Sequence, residues 1–405
     1  MRIALAYPTY WPYVRRGVER YMHDLAAYLA GQGHAVDILT TKPGAGRVAQ
    51  AHGVRTVYFP ERTHPVLARY RPLLRFYTFG LSCLPRLLRE KYDVAHLWMY
   101  PYGPSVHLAR QLRGTAYIYH TIVDPPHWPG ALDRWIFRRT LYSADRVAVL
   151  TRGAAAQVQR EFGLPAAILP PPVDTAVFRP LAPKDPHRPR VLFTSDLGDT
   201  RKGGVLLLRA WNLVHRRRPE AVLTLAGPFR LAGEMFVADL LPMIQQLVPG
   251  EEARRQIEIR GPGSLEALPG LYSSAAVTVL PSINEPFGMV LTESLACGTP
   301  VVCSHAGGPG EIVDDPAIGT TVDLTTYEDI YGTARVEALA EAILRTIDLG
   351  AEAATAERCR ARASAWSLDA VGRRALALYE EVVARRQPRA TAAGAPAGTG
   401  GEVAA

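Results

Sequence analysis

Two acidic side chains flank the start of a helical segment in the second half of the chain. Glu285 lies in the loop after an apolar, strand-like run that ends at Leu280, and Glu293 lies about one turn inside the helix. The free backbone N–H groups at the helix start, residues 287–290, and the positive end of the helix dipole favour an anion. A carboxylate on each side of an anion suits a ligand with a central diphosphate and hydroxyl-bearing sugars at both ends. An N-cap acid beside a solvated acid is the alternative interpretation of the same pattern.

A basic pair follows the first strand of the same half. Arg201 and Lys202 lie at a strand-to-helix junction, in the run from Asp196 to Gly204. A cation about 4 Å from a phosphate charge, at an effective dielectric of about 20, contributes roughly 4 kcal/mol. A solvent-exposed pair contributes little. Burial in a cleft therefore decides between a diphosphate contact and an ordinary solvated turn.

The first half of the chain offers two weaker candidates. Arg16 and Gly17 stand at the start of the first predicted helix, where glycine would let a ligand approach the backbone closely. His120 directly follows the predicted strand 116–119 and could hydrogen-bond a sugar hydroxyl or act in proton transfer. A single histidine more often has a structural role. No Asp-x-Asp motif follows a strand, so we predict no metal ion in the site.

Strand-like and helical patterns alternate along both halves, which is typical of α/β domains with parallel sheets covered on both faces. The segment 179–189 has four prolines in eleven residues and favours an extended linker between the halves. We therefore predict two parallel-sheet domains, 1–178 and 190–366, with a ligand cleft at the carboxyl ends of their strands. The last helix, 367–386, is expected to cross back to the first domain, and the Ala-, Gly- and Pro-rich segment 387–405 to be disordered.

Length and composition narrow the function classes. The chain has 405 residues, enough for two domains, and its 48% hydrophobic and 21% charged residues exclude a disordered protein or a coiled coil. No apolar run reaches the roughly 18 residues of a membrane span, and the N-terminus lacks a signal-peptide cleavage site, so we expect a cytoplasmic protein.

The four cysteines lack C-x-x-C spacing, which favours reduced thiols. Neither a G-x-G-x-x-G motif nor a P-loop motif occurs, which disfavours both kinds of nucleotide site.

The segment 61–91 mixes cations with aromatic side chains. Seven basic and two acidic residues give it a net charge of +5. That mixture suits a membrane surface carrying anionic lipid; helices packed on the sheet, with solvated arginines, are the alternative. The overall charge of +8 comes without a nucleic-acid-binding motif, so we expect no nucleic-acid partner.

Several spaced motifs resemble those of the retaining glycosyltransferases of family 4. Glu285 and Glu293 have the E-x7-E spacing of that family, and Glu285-Pro286-Phe287-Gly288 matches its usual form. The resemblance covers most of the chain, through Gly17-Val18-Glu19-Arg20, Gly33-His34-Ala35-Val36, Ala144-Asp145-Arg146-Val147, Pro171-Pro172-Val173-Asp174 with Phe178, and Arg201-Lys202-Gly203. It implies a GT-B fold, in which two Rossmann-like domains face each other across a cleft. It also implies transfer of a sugar from a nucleoside-diphosphate sugar to a hydroxyl of a glycan, lipid-linked or small-molecule acceptor, with retained anomeric configuration and no cofactor or metal.

The resemblance further implies roles for individual residues. The residues implied to bind the donor are Gly17, Arg201, Lys202, Glu285, Phe287, Gly288, Met289, Val290 and Glu293. Among these, Glu293 would hold the nucleotide ribose, Glu285 the donor-sugar hydroxyls and Lys202 the diphosphate. His120 would lie near the reacting sugar as a catalytic residue together with Lys202 and Glu285, and Arg16 and Gly17 would line the acceptor side.

The chain departs from the family pattern at two places. Arg16 precedes Gly17 where the family usually has a second glycine, which narrows the phosphate pocket or adds a cation to it. Ser195-Asp196 stands where the family usually has Gly-Arg, so one of two diphosphate cations is lost and Arg201 is the obvious replacement. This acid motivates a second hypothesis, a non-catalytic nucleotide-sugar-binding or partner subunit. A glycogen-phosphorylase-like enzyme is rejected, because none of the four lysines lies in a recognisable pyridoxal phosphate site.

Overall fold

A computed structural model describes most of the chain. The described residues are 1–11, 14, 16–42, 48–60, 73–121, 130–227, 230–231, 234–235, 237–261, 266–324 and 332–386. Within them the chain forms two large sheets, one from strands before residue 169 and one from strands after residue 189. The segment 387–405, predicted to be disordered, and residues 61–72 of the predicted membrane segment lie outside the described residues.

The first sheet has eight strands in the order β3-β4-β2-β1-β5-β6-β7-β8. Its strands are β1 (Arg2–Ala6), β2 (Ala35–Lys42), β3 (Val48–Ala51), β4 (Val54–Pro60), β5 (Val94–Leu97), β6 (Ala116–Thr121), β7 (Arg146–Val149) and β8 (Ala166–Ile168). All neighbours pair in parallel except β3 and β4, which form an antiparallel hairpin. Its helices are α1 (Gly17–Gly31), α2 (Leu74–Arg89), α3 (Gly103–Arg113), α4 (Ala131–Ser143) and α5 (Arg152–Phe162).

The second sheet has six parallel strands in the order β13-β10-β9-β14-β15-β16. Its strands are β9 (Arg190–Phe193), β10 (Val222–Ala226), β13 (Ile257–Arg260), β14 (Val277–Leu280), β15 (Val301–Ser304) and β16 (Gly319–Val322), and a small hairpin joins β11 (Arg230–Leu231) to β12 (Glu234–Met235). The helices are α6 (Gly204–Arg217), α7 (Val237–Leu247), α8 (Glu251–Arg255), α9 (Leu268–Ser273), α10 (Met289–Ala296), α11 (Gly308–Ile312), α12 (Thr333–Gly350), α13 (Ala353–Ala363) and α14 (Leu368–Ala384).

Both sheets reverse their strand order at one central point. In the second sheet the chain moves from β9 outward through β10 to β13, and then returns to the other side of β9 as β14. Loops at the carboxyl ends of two such central strands diverge and leave a crevice, which is where ligands bind in open α/β sheets. The loops after β9 and β14 are the two that carry Lys202 and Glu285.

The last helix packs on the first sheet. A Cβ on Gly372 of α14 would overlap the ring of Tyr28 in α1, so glycine is needed for the two helices to approach this closely. Arg146 pairs with Glu381, and Arg386 donates from Nε to Asp145 Oδ1 at 2.9 Å. These contacts hold α14 against the first half of the molecule.

A second connection joins the two halves near their facing loops. The Glu311 carboxylate of α11 accepts from the backbone N–H groups of Arg152 at 2.9 Å and Gly153 at 2.7 Å. These donors lie at the start of α5, where the helix dipole favours a negative charge. Among the described helices, none is both long and apolar enough to span a lipid bilayer.

Candidate active site

Lys202 and Glu285 meet at the crevice of the second sheet. Lys202 Nζ donates to Glu285 Oε2 at 2.6 Å, with side chains that are 27% and 12% exposed. The two loops are close because Gly203 has φ +74°, and a Cβ there would overlap the carbonyl oxygen of Pro281. Ile283 N also donates to the Arg201 carbonyl at 2.9 Å. Two residues predicted separately from the sequence thus form one half-buried ion pair, in which an anionic ligand can compete with Glu285 for the lysine.

Two helix N-termini converge beside this ion pair. Helix α10 begins at Met289 after Gly288, which adopts φ +99°. Helix α1 of the first half begins at Gly17, and a Cβ there would lie 3.3 Å from Met289 Sδ. Each helix start presents N–H groups without intrahelical acceptors and about half a positive charge. The place where the two helix starts approach each other favours a ligand with two negative charges.

Glu293 is buried inside a hydrogen-bond network. Its Oε2 accepts from the Tyr272 hydroxyl at 2.9 Å, and its Oε1 accepts from Arg20 Nη1 at 3.4 Å. Arg20 also donates to Asp24 Oδ2 at 3.1 Å. Burial raises the pKa of Glu293, and Arg20 and the Tyr272 hydroxyl oppose that rise. Sequence reasoning missed both partners, although Arg20 belongs to the motif at the start of α1.

His120 lies inside a strand rather than after it. Strand β6 extends to Thr121, two residues beyond its predicted end, and His120 is completely buried. Its Nδ1 is 3.2 Å from His96 Nε2, and His96 Nδ1 is 2.6 Å from the Tyr379 hydroxyl. Among the described residues, its Nε2 has no hydrogen-bond partner.

Burial also fixes the protonation state of this histidine. Desolvation lowers the pKa of His120 to about 3, and burial and His120 together lower the pKa of His96 well below its usual range. Both imidazoles are therefore neutral at pH 7. Hydrogen bonding and proton transfer both stay predictions for His120, and a neutral imidazole can serve as a hydrogen-bond donor or acceptor.

Arg201, the predicted replacement for the missing cation, and Asp196 both lie in the connection between β9 and α6. The Arg201 side chain is 63% exposed and donates to Asp199 from Nε at 3.0 Å and from Nη2 at 2.6 Å. Asp196 Oδ1 accepts from Gly198 N at 3.0 Å and so stabilises its own loop. Asp199, which sequence reasoning did not single out, forms an ion pair with Arg201.

The first half contributes a polar cavity that sequence reasoning did not find. A small cavity of about 40 Å³ lies at the carboxyl ends of β1, β2 and β4, lined by Pro8, Thr9, Thr41, Pro60, Arg75, Thr78 and Phe79. Beside it, Thr9 Oγ1 donates to Glu19 Oε1 at 2.6 Å, and Glu19 Oε2 is buried without a partner among the described residues. Arg16 and Gly17, predicted for the acceptor side, are exposed at the start of α1. In the part of the chain that the structure describes, no three His, Cys, Asp or Glu side chains cluster as metal ligands would.

Two family matches cover this architecture. Residues 15–177 match Glycosyltransferase Family 4, and residues 178–365 match Glycosyl transferases group 1. The chain belongs to the family 4, group 1 glycosyltransferases. The resemblance inferred from the E-x7-E segment and its companion motifs is thereby confirmed, and sugar transfer is the activity of this family.

Relatives and solved structures agree with this assignment. The chain is 27% identical over 387 residues to a D-inositol 3-phosphate glycosyltransferase of Pseudarthrobacter chlorophenolicus, covering 87% of each chain. It is 29% identical over 280 residues to the GDP-mannose-dependent alpha-(1-6)-phosphatidylinositol monomannoside mannosyltransferase of Mycolicibacterium smegmatis, covering 62% of this chain and 68% of the relative. A sucrose-phosphate synthase from Thermosynechococcus elongatus superposes with a TM-score of 0.79 at 23% identity, over 95% of this chain and 99% of the other. Anabaena HepE in complex with UDP and glucose superposes with a TM-score of 0.69 at 18% identity, over 94% and 100%. The predicted α/β fold of GT-B type, with two Rossmann-like sheets, is confirmed.

Proposed function

We propose that this glycosyltransferase is an active, retaining enzyme that transfers a sugar from a nucleoside-diphosphate sugar to an acceptor hydroxyl without a metal ion. The observation that carries the proposal is the meeting of α1, α10 and Lys202 across the cleft. Two helix N-termini and one ammonium group supply positive charge where a donor diphosphate would lie. This charge can stabilise a leaving nucleoside diphosphate, which is the task a metal ion would otherwise have.

Donor binding would exchange the partner of Lys202. The diphosphate would draw Lys202 away from Glu285, and the released carboxylate would accept hydrogen bonds from the donor-sugar hydroxyls. Because Lys202 is 27% exposed, its ammonium group can exchange Glu285 for a phosphate without becoming a buried, unpaired charge. Glu293, about one turn inside α10, would hold the ribose while it keeps Arg20 and Tyr272 as partners.

The orientation of His120 suits a neutral hydrogen-bond donor. The 2.6 Å separation between Tyr379 Oη and His96 Nδ1 is shorter than a usual N–H···O bond and typical of an O–H donor. If Tyr379 donates, His96 carries its proton on Nε2 and donates to His120 Nδ1, which leaves the His120 proton on Nε2. Because His120 is completely buried in the structure, donor binding would have to expose its Nε2. A donor-sugar oxygen there would then accept from the last N–H of the hydrogen-bond series Tyr379–His96–His120.

The competing hypothesis, a non-catalytic binding subunit, rests on Asp196. It is weakened by the neighbouring loop, because Lys202 and Glu285 are in place even though the usual arginine is absent. A cytoplasmic location is part of the proposal, supported by four buried, unpaired cysteines. The acceptor is proposed to be a polar hydroxyl compound, since two relatives are named for an inositol phosphate and a phosphatidylinositol mannoside.

A screen of nucleotide sugars tests the function. Thermal shift with UDP-, GDP- and ADP-sugars should reveal one preferred donor, because a ligand that binds only the native state raises the melting temperature. Hydrolysis or transfer of that donor should continue in EDTA and fall sharply in Lys202→Ala. Arg217→Ala, which removes an exposed ion pair with Glu341, is the matched control and should behave as wild type. Donor binding without any turnover would favour the binding subunit, and loss of activity in EDTA that Mg²⁺ restores would refute the metal-free mechanism.

A further inference from the structure

One face of the first sheet exposes an unusual number of large apolar side chains. Helix α3 packs between α2 and α4 on this face. Of the eleven large apolar side chains that are exposed in the described part of the chain, six lie on these three helices: Leu81 68%, Leu108 37%, Leu112 62%, Leu132 66%, Trp135 62% and Tyr142 54% exposed. Large apolar side chains that cluster in this way mark an interaction surface more often than single ones do.

The same three helices are strongly basic. They contain eight arginines, no lysine and a single acid, Asp133, which gives a net charge of +7. The arginines are Arg75, Arg86, Arg89, Arg110, Arg113, Arg134, Arg138 and Arg139. Arg86 and Arg110 are used inside the domain, where they pair with Asp37 and Asp145. Arg89, Arg113 and the three arginines of α4 are exposed.

Helix α4 combines both properties most clearly. Leu132, Trp135 and Tyr142 point to solvent among Arg134, Arg138 and Arg139, while Ile136, Phe137, Thr140 and Leu141 are buried. A helix with aromatic and leucine side chains among arginines is typical of one that lies in the headgroup region of a bilayer. A second copy of this chain would bring two such charged faces together, so like-charge repulsion disfavours self-association through it.

We propose that this basic apolar face, formed by α2, α3 and α4 and centred on α4, docks on a lipid surface that carries anionic headgroups. Trp135 and Leu132 would enter the headgroup region, and the exposed arginines would contact lipid phosphates, each contributing to affinity. The membrane segment 61–91 predicted from the sequence includes α2 but not α4, so the surface proposed here has a different centre from that prediction. This inference does not depend on which sugar is transferred.

Vesicle co-sedimentation tests the surface directly. The full chain should bind phosphatidylcholine vesicles that contain phosphatidylglycerol, bind pure phosphatidylcholine weakly, and lose binding as salt increases. The variant Arg134→Glu/Arg138→Glu/Arg139→Glu should bind the anionic vesicles about 100-fold more weakly. The matched control, Arg345→Glu/Arg358→Glu/Arg360→Glu, makes the same charge change at exposed residues of the second half and should bind as wild type apart from a small general charge effect.

Two further measurements separate the alternatives. Trp135→Ser should reduce both vesicle binding and the blue shift of tryptophan fluorescence that anionic vesicles cause. Donor-induced thermal shift, measured for every variant, reports folding and the proposed function independently of lipid. Equal binding to neutral and anionic vesicles, or equal losses in the α4 variant and its control, would overturn the proposal. A dimer in light scattering that Trp135→Ser dissociates would also overturn it, in favour of a second copy as the partner.

Discussion

The role of His120 leads to the sharpest prediction, because its two candidate roles, hydrogen bonding and proton transfer, predict losses of kcat that differ by orders of magnitude. His120→Ala removes the Nε2–H donor that we place at the reacting sugar. A neutral hydrogen bond contributes about 0.5–1.5 kcal/mol, which corresponds to a loss of about 2- to 12-fold in kcat. General acid–base catalysis would make the loss about 10²- to 10⁴-fold. With the pKa of His120 lowered to about 3 by burial, no limb of the pH profile near neutrality should belong to this residue.

His120→Gln supplies the decisive comparison. A glutamine amide N–H reaches about as far as His120 Nε2 but cannot carry a proton between groups. We expect His120→Gln to recover most of the kcat that His120→Ala loses, with KM changed little in either variant. Turnover is measured with the donor found by thermal shift, and urea unfolding checks that the buried site tolerates each change. A loss of 1,000-fold or more in both variants (about 4 kcal/mol) would refute the hydrogen-bond role and restore proton transfer.

The other predictions concern donor affinity and acid stability. Glu293→Gln should weaken donor binding about 10- to 100-fold in calorimetry, because a hydrogen bond to a charged group contributes about 1.5–3 kcal/mol; unchanged affinity would remove Glu293 from the donor site. Arg201→Ala should weaken donor binding by less than about 5-fold, because the Arg201 side chain is exposed and paired with Asp199. Lys202→Ala should weaken donor binding more. Equal losses in the two variants would show that Arg201 contacts the diphosphate. Burial lowers the pKa values of His96 and His120 in the native state. Below about pH 6.5 these two histidines are therefore protonated in the unfolded chain but stay neutral in the native state. Stability in urea should therefore fall by up to about 1.4 kcal/mol per pH unit for each histidine as the pH drops towards 5, and His120→Gln should flatten that slope.

Most of the sheet framework was predictable because its strands are short, apolar and separated by helical patterns. Strand β14 ends at Leu280 as predicted, and β6 begins at its predicted first residue and extends two residues beyond its predicted end. The β3–β4 hairpin was missed, since every residue of β3 is exposed and offers no apolar pattern. Its turn consists of His52 and Gly53, both at positive φ. Gly53 was the one feature of the local sequence that could have indicated a hairpin turn. Strand β16 begins with Gly319 and has only two buried residues, so its pattern was also too weak.

The site was predictable where its residues share a loop or a helix start, and not where they are distant in sequence. Lys202, Glu285 and Gly17 lie at ends of elements, so the topology alone placed them near a cleft. The ion pair between Lys202 and Glu285 still depends on close packing at Gly203, which no local sequence pattern predicts. The contacts of Glu293 with Arg20 and of His96 with Tyr379 span 273 and 283 positions. A single sequence carries no signal for such pairs, because each partner satisfies its local pattern equally well without the other.

The cleft contains two ion pairs, Arg20–Glu293 and Lys202–Glu285, which differ in burial. We infer from this difference that the two pairs have different roles. The Arg20–Glu293 pair is buried on both sides, 8% and 9% exposed, and removing one member of a buried pair costs about 3–5 kcal/mol. That is too much for a contact that opens in every catalytic cycle, so Arg20 keeps Glu293 in place while α1 stays docked on the second half. In the Lys202–Glu285 pair the lysine is 27% exposed, so its ammonium group can leave Glu285 without becoming a buried, unpaired charge. We propose that a donor diphosphate would draw Lys202 away from Glu285, so that ligand binding itself would free the carboxylate for the hydroxyls of the donor sugar.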